Sequence, residues 1–380
     1  MTPLRVAVVG AGHLGRIHAK LLAQVEDARL VAVVDPYEPA RQNAEAMFGV
    51  PTFACHREIL DRIDAAIIAS PSDLHAQTAT DLLIADKHVF VEKPITVEPA
   101  DADRLVQLAA ARRRTLQVGH VERFNPAWTA ASEVTAGAKY IEAVRASRFP
   151  GRCLDVGVVM DLMIHDIDLV LAATGQKPHR VEAAGLSLFG QHEDIAQATL
   201  RFPGGCIAQL TASRLSYHAE RKMQVWSEAG FASLDFAGRC ATVIHPHDAV
   251  YDRSLDAAQL SPEMRDELRE HMFDKYLVKE TITPEPADQI TAELQDFAAA
   301  IRTGGKPRVD GAAGLAALDV AQQVLDAMQR HAWDGERGDR VGPKVEPLPH
   351  VLPGPHFLRR AATHDSVGPI SPADQRHADE

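Results

Sequence analysis

Short Val- and Ile-rich runs recur along the first third of the chain, at residues 4–9 (LRVAVV), 30–35 (LVAVVD), 65–70 (AAIIAS), 88–93 (HVFVEK) and 115–120 (TLQVGH). Between them, residues 73–87 and 99–114 space their apolar positions as helices do. Buried strands alternating with amphipathic helices predict a doubly wound parallel sheet. From about residue 121 the texture changes. A helix-like stretch near 126–136 precedes an alternating strand at 139–149 and a long apolar helix at 156–175, ended by Gly175. Polar–apolar alternation then dominates 179–189, 195–202, 205–214 and 221–238, with closely spaced turns, which predicts an antiparallel sheet. Residues 254–285 show no clear period, and helices near 288–302 and 312–330 flank the turn TGGKP. The expected division is a nucleotide-binding domain at 1–122, a substrate and oligomerisation domain at 123–332, and a Pro-rich, loosely ordered tail at 333–380 that lies against a partner subunit.

Length and composition narrow the function. A chain of 380 residues exceeds one ordinary core, and 46% hydrophobic with 24% charged residues is ordinary for a soluble globular protein. A formal net charge of −12 argues against nucleic acid or an anionic membrane as the partner. The four cysteines, Cys55, Cys153, Cys206 and Cys240, have neither CxxC nor zinc-ligand spacing and read as reduced thiols. The N-terminus runs directly into a strand pattern without a signal-peptide core, and no apolar run is long enough to span a bilayer, so the expected location is the cytoplasm.

The stretch GAGHLG (10–15) follows the first strand and opens a helix. In that context Gly10 permits the tight turn, Gly12 admits a pyrophosphate against the backbone, and Gly15 lets helix and strand pack closely, while the helix N-terminus offers free N–H groups to the anion. His13 and Leu14 lie within the same cradle. Asp35 ends the second strand, twenty residues after Gly15, where its carboxylate can accept from the adenosine ribose hydroxyls and would repel a 2′-phosphate. The cofactor expected is therefore NAD rather than NADP.

Two further clusters suggest chemistry. Glu92, Lys93 and Pro94 end the fifth strand, at the sheet edge where ligands bind; Lys93 either donates to a substrate oxygen there or is a surface lysine before a loop. In the apolar helix, Asp161, His165 and Asp168 are spaced to share one face, with Asp166 beside them. Such a stripe is costly to bury unless satisfied or used. It serves catalysis with His165 as general base, or a polar network between domains, or a metal through Asp161 and His165. No third ligand is apparent, and no metal is expected.

GAGHLG, Asp35, SPSDLH (70–75), EKP (92–94), GHVERFNP (119–126), the Asp-x-x-x-His helix and the return AELQDFAAAIRTGGKPRVDG (292–311) occur in an order that resembles the glucose–fructose oxidoreductase / inositol dehydrogenase / MocA family over roughly residues 4–330. The resemblance implies an α/β architecture, an N-terminal Rossmann domain followed by an α+β domain on a large, open, mostly antiparallel sheet. It also implies an NAD(P)-dependent dehydrogenase of sugars, cyclitols or nucleotide sugars working as a homodimer or homotetramer. Position by position, it implies that Lys93 sits by the nicotinamide and the reacting carbon, that Asp161 and His165 form the aspartate–histidine pair, and that Ser70, Pro71, His75 and Glu92 line the cofactor. Arg123 and Asn125 fall where cofactor and substrate meet. The glycine triplet that often precedes the Asp–His helix is replaced by DVGVVMDL (155–162). Together with GHVERFNP, this is most similar to the branch oxidising the 3-hydroxyl of UDP-N-acetylglucosamine-type sugars, which feeds 3-amino sugar synthesis for lipid A or surface glycans. A diphosphate would need cationic partners, for which Arg145, Arg148, Arg152 and Arg214 are candidates. A dehydrogenase of a free sugar or cyclitol, and a non-catalytic NAD-binding sensor, are the competing readings.

Overall fold

The computed structural model describes residues 2–149, 151, 156–188, 192–284, 287–331 and 351–352. The first sheet consists of β1 (Leu4–Val9), β2 (Ala28–Val34), β3 (Thr52–Phe53), β4 (Ala65–Ile68), β5 (His88–Glu92) and β6 (Leu116–Gly119), ordered β3-β2-β1-β4-β5-β6 with every neighbour parallel. This is the dinucleotide-binding Rossmann order, with its reversal beside β1. Both faces are covered by helices, so the central strands are continuous apolar runs; all four residues of β4 are fully buried.

The second sheet consists of β7 (Tyr140–Ala146), β8 (Arg180–Leu186), β9 (Ile195–Arg201), β10 (Ile207–Ser213), β11 (Glu220–Ser227), β12 (Gly230–Asp235), β13 (Cys240–Pro246), β14 (Leu277–Ile282) and β15 (Val351–Leu352), ordered β14-β13-β12-β11-β7-β10-β9-β8-β15. Its pairs are antiparallel except β7–β10 and β8–β15. Alternation produces one packed face: Ala196, Ala198 and Leu200 of β9 are buried while Gln197 points out. Helices Ile164–Thr174 and Gly311–Arg330 pack on the buried face, joining Ile164, Ile167, Val320 and Val324 to its core.

Several elements depart from the sequence expectation. Residues 254–285 hold helix Pro262–Glu270 and the edge strand β14, and Val351–Leu352 of the expected loose tail pairs with β8; the rest of 333–380 lies outside the described residues. The chain also returns to the first sheet. Leu294, Phe297 and Ala298 of helix Gln289–Thr303 pack with Val6, Val8 and Phe90, so residues from the expected second domain complete the core of the first.

Where the two layers meet, charges are buried in compensating sets. Arg145 on β7 donates through Nη2 and Nε to Asp166 (2.7 and 3.0 Å) and through Nη1 to Glu122 (2.7 Å), with all three side chains no more than 4% exposed. Removing one partner of such a set strands the others. Arg145→Met should therefore lower stability by about 3–5 kcal/mol, read as a fall in the urea midpoint; an unchanged midpoint would show that the set contributes nothing.

Candidate active site

The glycine turn after β1 has the shape a pyrophosphate needs. Gly10 lies at φ +102°, and a Cβ there would stand 2.6 Å from the Ala69 carbonyl. A Cβ on Gly15 would overlap the Gly10 carbonyl, which is how helix His13–Leu21 packs so closely on the strand end. Gly12 differs: a Cβ there would meet no atom within 4 Å. It is the N-cap of that helix and has no side-chain cap, so the first-turn N–H groups face open space. His13 and Leu14 are exposed over the same space. Asp35 accepts from Ala11 N and Tyr37 N, each at 2.8 Å, which places its carboxylate between the turns that follow β1 and β2. The residues present fit a dinucleotide.

At the C-terminal end of β5, Lys93 reaches across 68 residues of sequence to the Asp–His helix. Its Nζ donates to the Asp161 carbonyl at 2.7 Å and to the Asp161 carboxylate at 3.0 Å. The helix is not uniform: Val159–Met163 winds as a π-helical turn, a form frequent at functional sites, before α-helix Ile164–Thr174 begins. The expected polar stripe therefore divides among partners. Asp161 faces Lys93, Asp166 pairs with Arg145, Asp168 accepts from Arg123 Nε at 2.8 Å, and His165 makes no side-chain hydrogen bond among the described residues. Burial first, then the positive charges of Lys93 and Arg145, push the His165 imidazole well below its ordinary value. It is held neutral.

The helix start is held without a glycine triplet. Glu193 Oε1 accepts from Val159 N at 3.0 Å, and Gly157 lies so close to that carboxylate that any Cβ would collide with it. Arg214, expected among the diphosphate ligands, instead donates to Asp194 (2.6 Å) and to the Val156 carbonyl (2.7 Å), pinning the same turn. Arg145 is likewise committed to its buried ion set. Asn125, expected at the substrate, is 1% exposed: its Oδ1 caps Ala127 N, and its Nδ2 is shared among Glu122, Phe236 and Gln289. An Asn before Pro126 at a helix start is a natural cap, and that use wins here. His75 is 1% exposed and presents no polar atom to a ligand, because its ring bridges the Ser70 and Pro94 carbonyls, at 2.9 Å each, tying the loop after β4 to the one bearing Lys93. Arg148 is exposed, with Nε on the Tyr217 carbonyl at 3.2 Å; Arg152 lies outside the described residues.

Three buried groups beside the site carry no obvious sequence signal of their role. His18 Nε2 meets Glu92 at 2.6 Å. Burial alone would raise the Glu92 carboxyl, but that bond and the charges of His18 and Lys93 hold it below its ordinary value. His120 follows β6, at the edge where ligands bind, and that position was the available clue. Glu293 is 1% exposed on helix Gln289–Thr303, and burial, then the charges of Glu92, Asp168 and Asp296, raise its carboxyl well above its ordinary value.

These features define an NAD-binding oxidoreductase in which a Rossmann sheet and an open sheet meet at a lysine, an aspartate and a histidine. Residues 4–120 match the family described as "Oxidoreductase family, NAD-binding Rossmann fold", and residues 137–233 match the GFO/IDH/MocA C-terminal domain. The chain is 33% identical over 330 residues to the UDP-N-acetylglucosamine 3-dehydrogenase of Acidithiobacillus ferrooxidans, covering 87% of this chain and 98% of that one. A solved structure of that dehydrogenase superposes with a TM-score of 0.75 at 30% identity, covering 86% of this chain and 98% of the other. The myo-inositol 2-dehydrogenase of Thermotoga maritima is 25% identical, with 83% and 93% covered. The chain belongs to the GFO/IDH/MocA family of oxidoreductases.

Two outcomes follow from the geometry. Gly12→Val should abolish NAD binding measured by calorimetry while lowering the folding midpoint only slightly, by about the 1 kcal/mol or less that a poorer N-cap costs, because its Cβ meets no atom within 4 Å on the pyrophosphate side; retained binding would displace the cradle. For Glu293, the native chain keeps a proton that the unfolded chain releases above about pH 4.3, so stability is lost as pH rises from there toward the raised native value. Glu293→Gln should thus match wild type near pH 4.5 and exceed it at pH 8 in urea denaturation. A less stable variant at pH 8 would contradict the buried neutral acid.

Proposed function

We propose that this enzyme uses NAD to oxidise a secondary hydroxyl of a nucleotide sugar, the 3-hydroxyl of a UDP-N-acetylglucosamine-type substrate, working as a cytoplasmic homodimer or homotetramer. The meeting of Lys93, Asp161 and His165 at the C-terminal edge of the Rossmann sheet carries the chemistry. The nucleotide-sugar relative, at 33% identity over 98% of its length, supports the substrate over the inositol dehydrogenases, whose matches of comparable length are 25–26% identical.

Bound NAD supplies the hydride acceptor. The protein handles the remaining proton and charge. His165, neutral for the reasons above, accepts the hydroxyl proton. Lys93 has three donors, two of which meet Asp161; the third hydrogen-bonds the substrate oxygen as negative charge develops on it. Asp161 thereby aims the ammonium and shares the substrate pocket. Gly10, Gly12, His13, Leu14 and Gly15 form the pyrophosphate cradle, Asp35 accepts from the adenosine ribose, and Ser70, Pro71, Glu92 and Arg123 line the nicotinamide side. Arg148 is the exposed arginine assigned to the substrate diphosphate. The keto sugar formed suits a following transamination, as 3-amino sugar synthesis for a surface glycan requires.

The test is nicotinamide absorbance after adding UDP-N-acetylglucosamine, free sugars or myo-inositol to protein with NAD, with a transaminase and amino donor removing the ketone. NADH formed only with the nucleotide sugar supports this reading. A response only to polyols moves the substrate to the cyclitols, and NAD binding without turnover of any sugar points to a sensor. Lys93→Met and His165→Asn should each lower kcat by on the order of 10²–10⁴-fold with NAD affinity retained; wild-type turnover in both would remove them from the chemistry.

A further inference from the structure

His120 is 1% exposed, and neither of its ring nitrogens has a hydrogen-bond partner among the described residues. His165 Nδ1 is buried and unpartnered in the same way. The two rings stand perpendicular with centroids 6.3 Å apart. A buried polar group left unpaired is costly, so unpartnered nitrogens on two facing rings call for a shared partner. A water with hydrogen bonds of about 2.8–3.0 Å to one nitrogen of each ring suits that centroid separation.

We propose that His120 is a relay residue which, through one water held between the two rings, takes onward the proton that His165 removes from the substrate hydroxyl. This rests on the role given to His165 above. The hydroxyl proton moves to His165 Nε2, His165 Nδ1 releases its proton to the water, and the water passes one proton to a ring nitrogen of His120. The water ends with the protons it began with, His165 is left neutral with its proton on Nε2, and His120 is left as the imidazolium. When product leaves, Nε2 releases its proton to water entering the emptied pocket and His120 returns its own through the held water to Nδ1, which restores the starting tautomer.

The charges around the two rings favour this direction. His165 faces the cations Lys93, Arg145 and Arg221, besides His120, and is a poor resting place for a proton. Burial first lowers His120 as well, but Asp168 and Glu92 pull it back upward against Arg123 and Lys93. Asp168 and Glu92 are carboxylates that act directly on His120, whereas the carboxylates next to His165 in the helix, Asp161 and Asp166, are each engaged by a cation, Lys93 and Arg145. A histidine present merely to fill space would need no such surroundings.

The full-length protein tests this in two ways, one of which needs no substrate. A high-resolution crystal structure should show one water within about 3.2 Å of both His165 Nδ1 and a nitrogen of His120, and ¹⁵N-histidine NMR should place the His165 proton on Nδ1 in wild type and alter that resonance in His120→Phe. With the sugar that the wild type turns over, His120→Phe should lower kcat by on the order of 10–100-fold, leave KM and NAD affinity near wild type, and enlarge the solvent isotope effect. His120→Ala should be rescued by added imidazole. His120→Gln keeps the polarity without the ability to carry the proton, so it should fold normally and remain slow. A dry gap between the rings, or wild-type kcat and isotope effect in His120→Phe, would overturn the relay, as would full recovery of kcat in His120→Gln. Failure of every sugar to react would defeat the proposed function instead, with the crystal and NMR results still deciding the relay.

Discussion

The contact between Lys93 and Asp161 is the point on which the rest of the site depends. A lysine at the end of a Rossmann strand has a long, flexible stem and a strongly hydrated charge, and left alone it would wander in solvent. The carbonyl and carboxylate of Asp161, supplied by a helix lying on the second sheet, engage two of its donors and hold the ammonium in the gap between layers. That requirement fixes the start of the Asp–His helix. Glu193, Gly157, Arg214 and Asp194 converge on residues 156–159, and the π-helical turn brings the Asp161 carbonyl as well as its side chain to the lysine. A glycine triplet is one way to seat this helix; here a buried carboxylate on a single close-packed glycine does so.

Around this contact the protein buries more charge than a simple core tolerates, and it does so in two ways. Where the charge is structural, every member has partners, as in the Arg145 set and in Arg214 with Asp194. Closer to the reacting position, groups are instead held neutral: His165 and His120 below their ordinary values and Glu293 above its own, each chiefly by burial. Burial keeps these groups neutral yet titratable, whereas the fully paired ions stay charged. The division separates the scaffold from the working part of the site more sharply than distance along the sequence does.

The family relationship leaves the substrate class to a smaller set of contacts. Nucleotide-sugar and inositol dehydrogenases share this architecture with the chain across most of its length. The arginines that would suit a diphosphate are mostly consumed in the core, with Arg148 left exposed among those described.

Much of this was legible along the chain. Gly10, Gly12 and Gly15 after an apolar strand, with Asp35 ending the next, state their purpose locally, because a tight turn and an uncapped helix start are short-range geometry. Most strands of both sheets were readable for the same reason: a period of two, or an unbroken apolar run, records whether one face or two are covered, whereas β3, β13, β14 and β15, short or at and near the sheet edges, were not. What the sequence could not say is which polar residue meets which. Asn125 looked like a ligand and is a cap; Arg145 and Arg214 looked like anion binders and are neutralised by Asp166, Glu122 and Asp194; His75 ties two loops together. His18 and Glu293 became notable only in the folded chain, where helix Gln289–Thr303 lies back on the first sheet, and His120 only through its burial beside His165. Pairing across dozens or hundreds of residues, and the burial that shifts a proton affinity, are properties of packing, so the tertiary structure alone decided them.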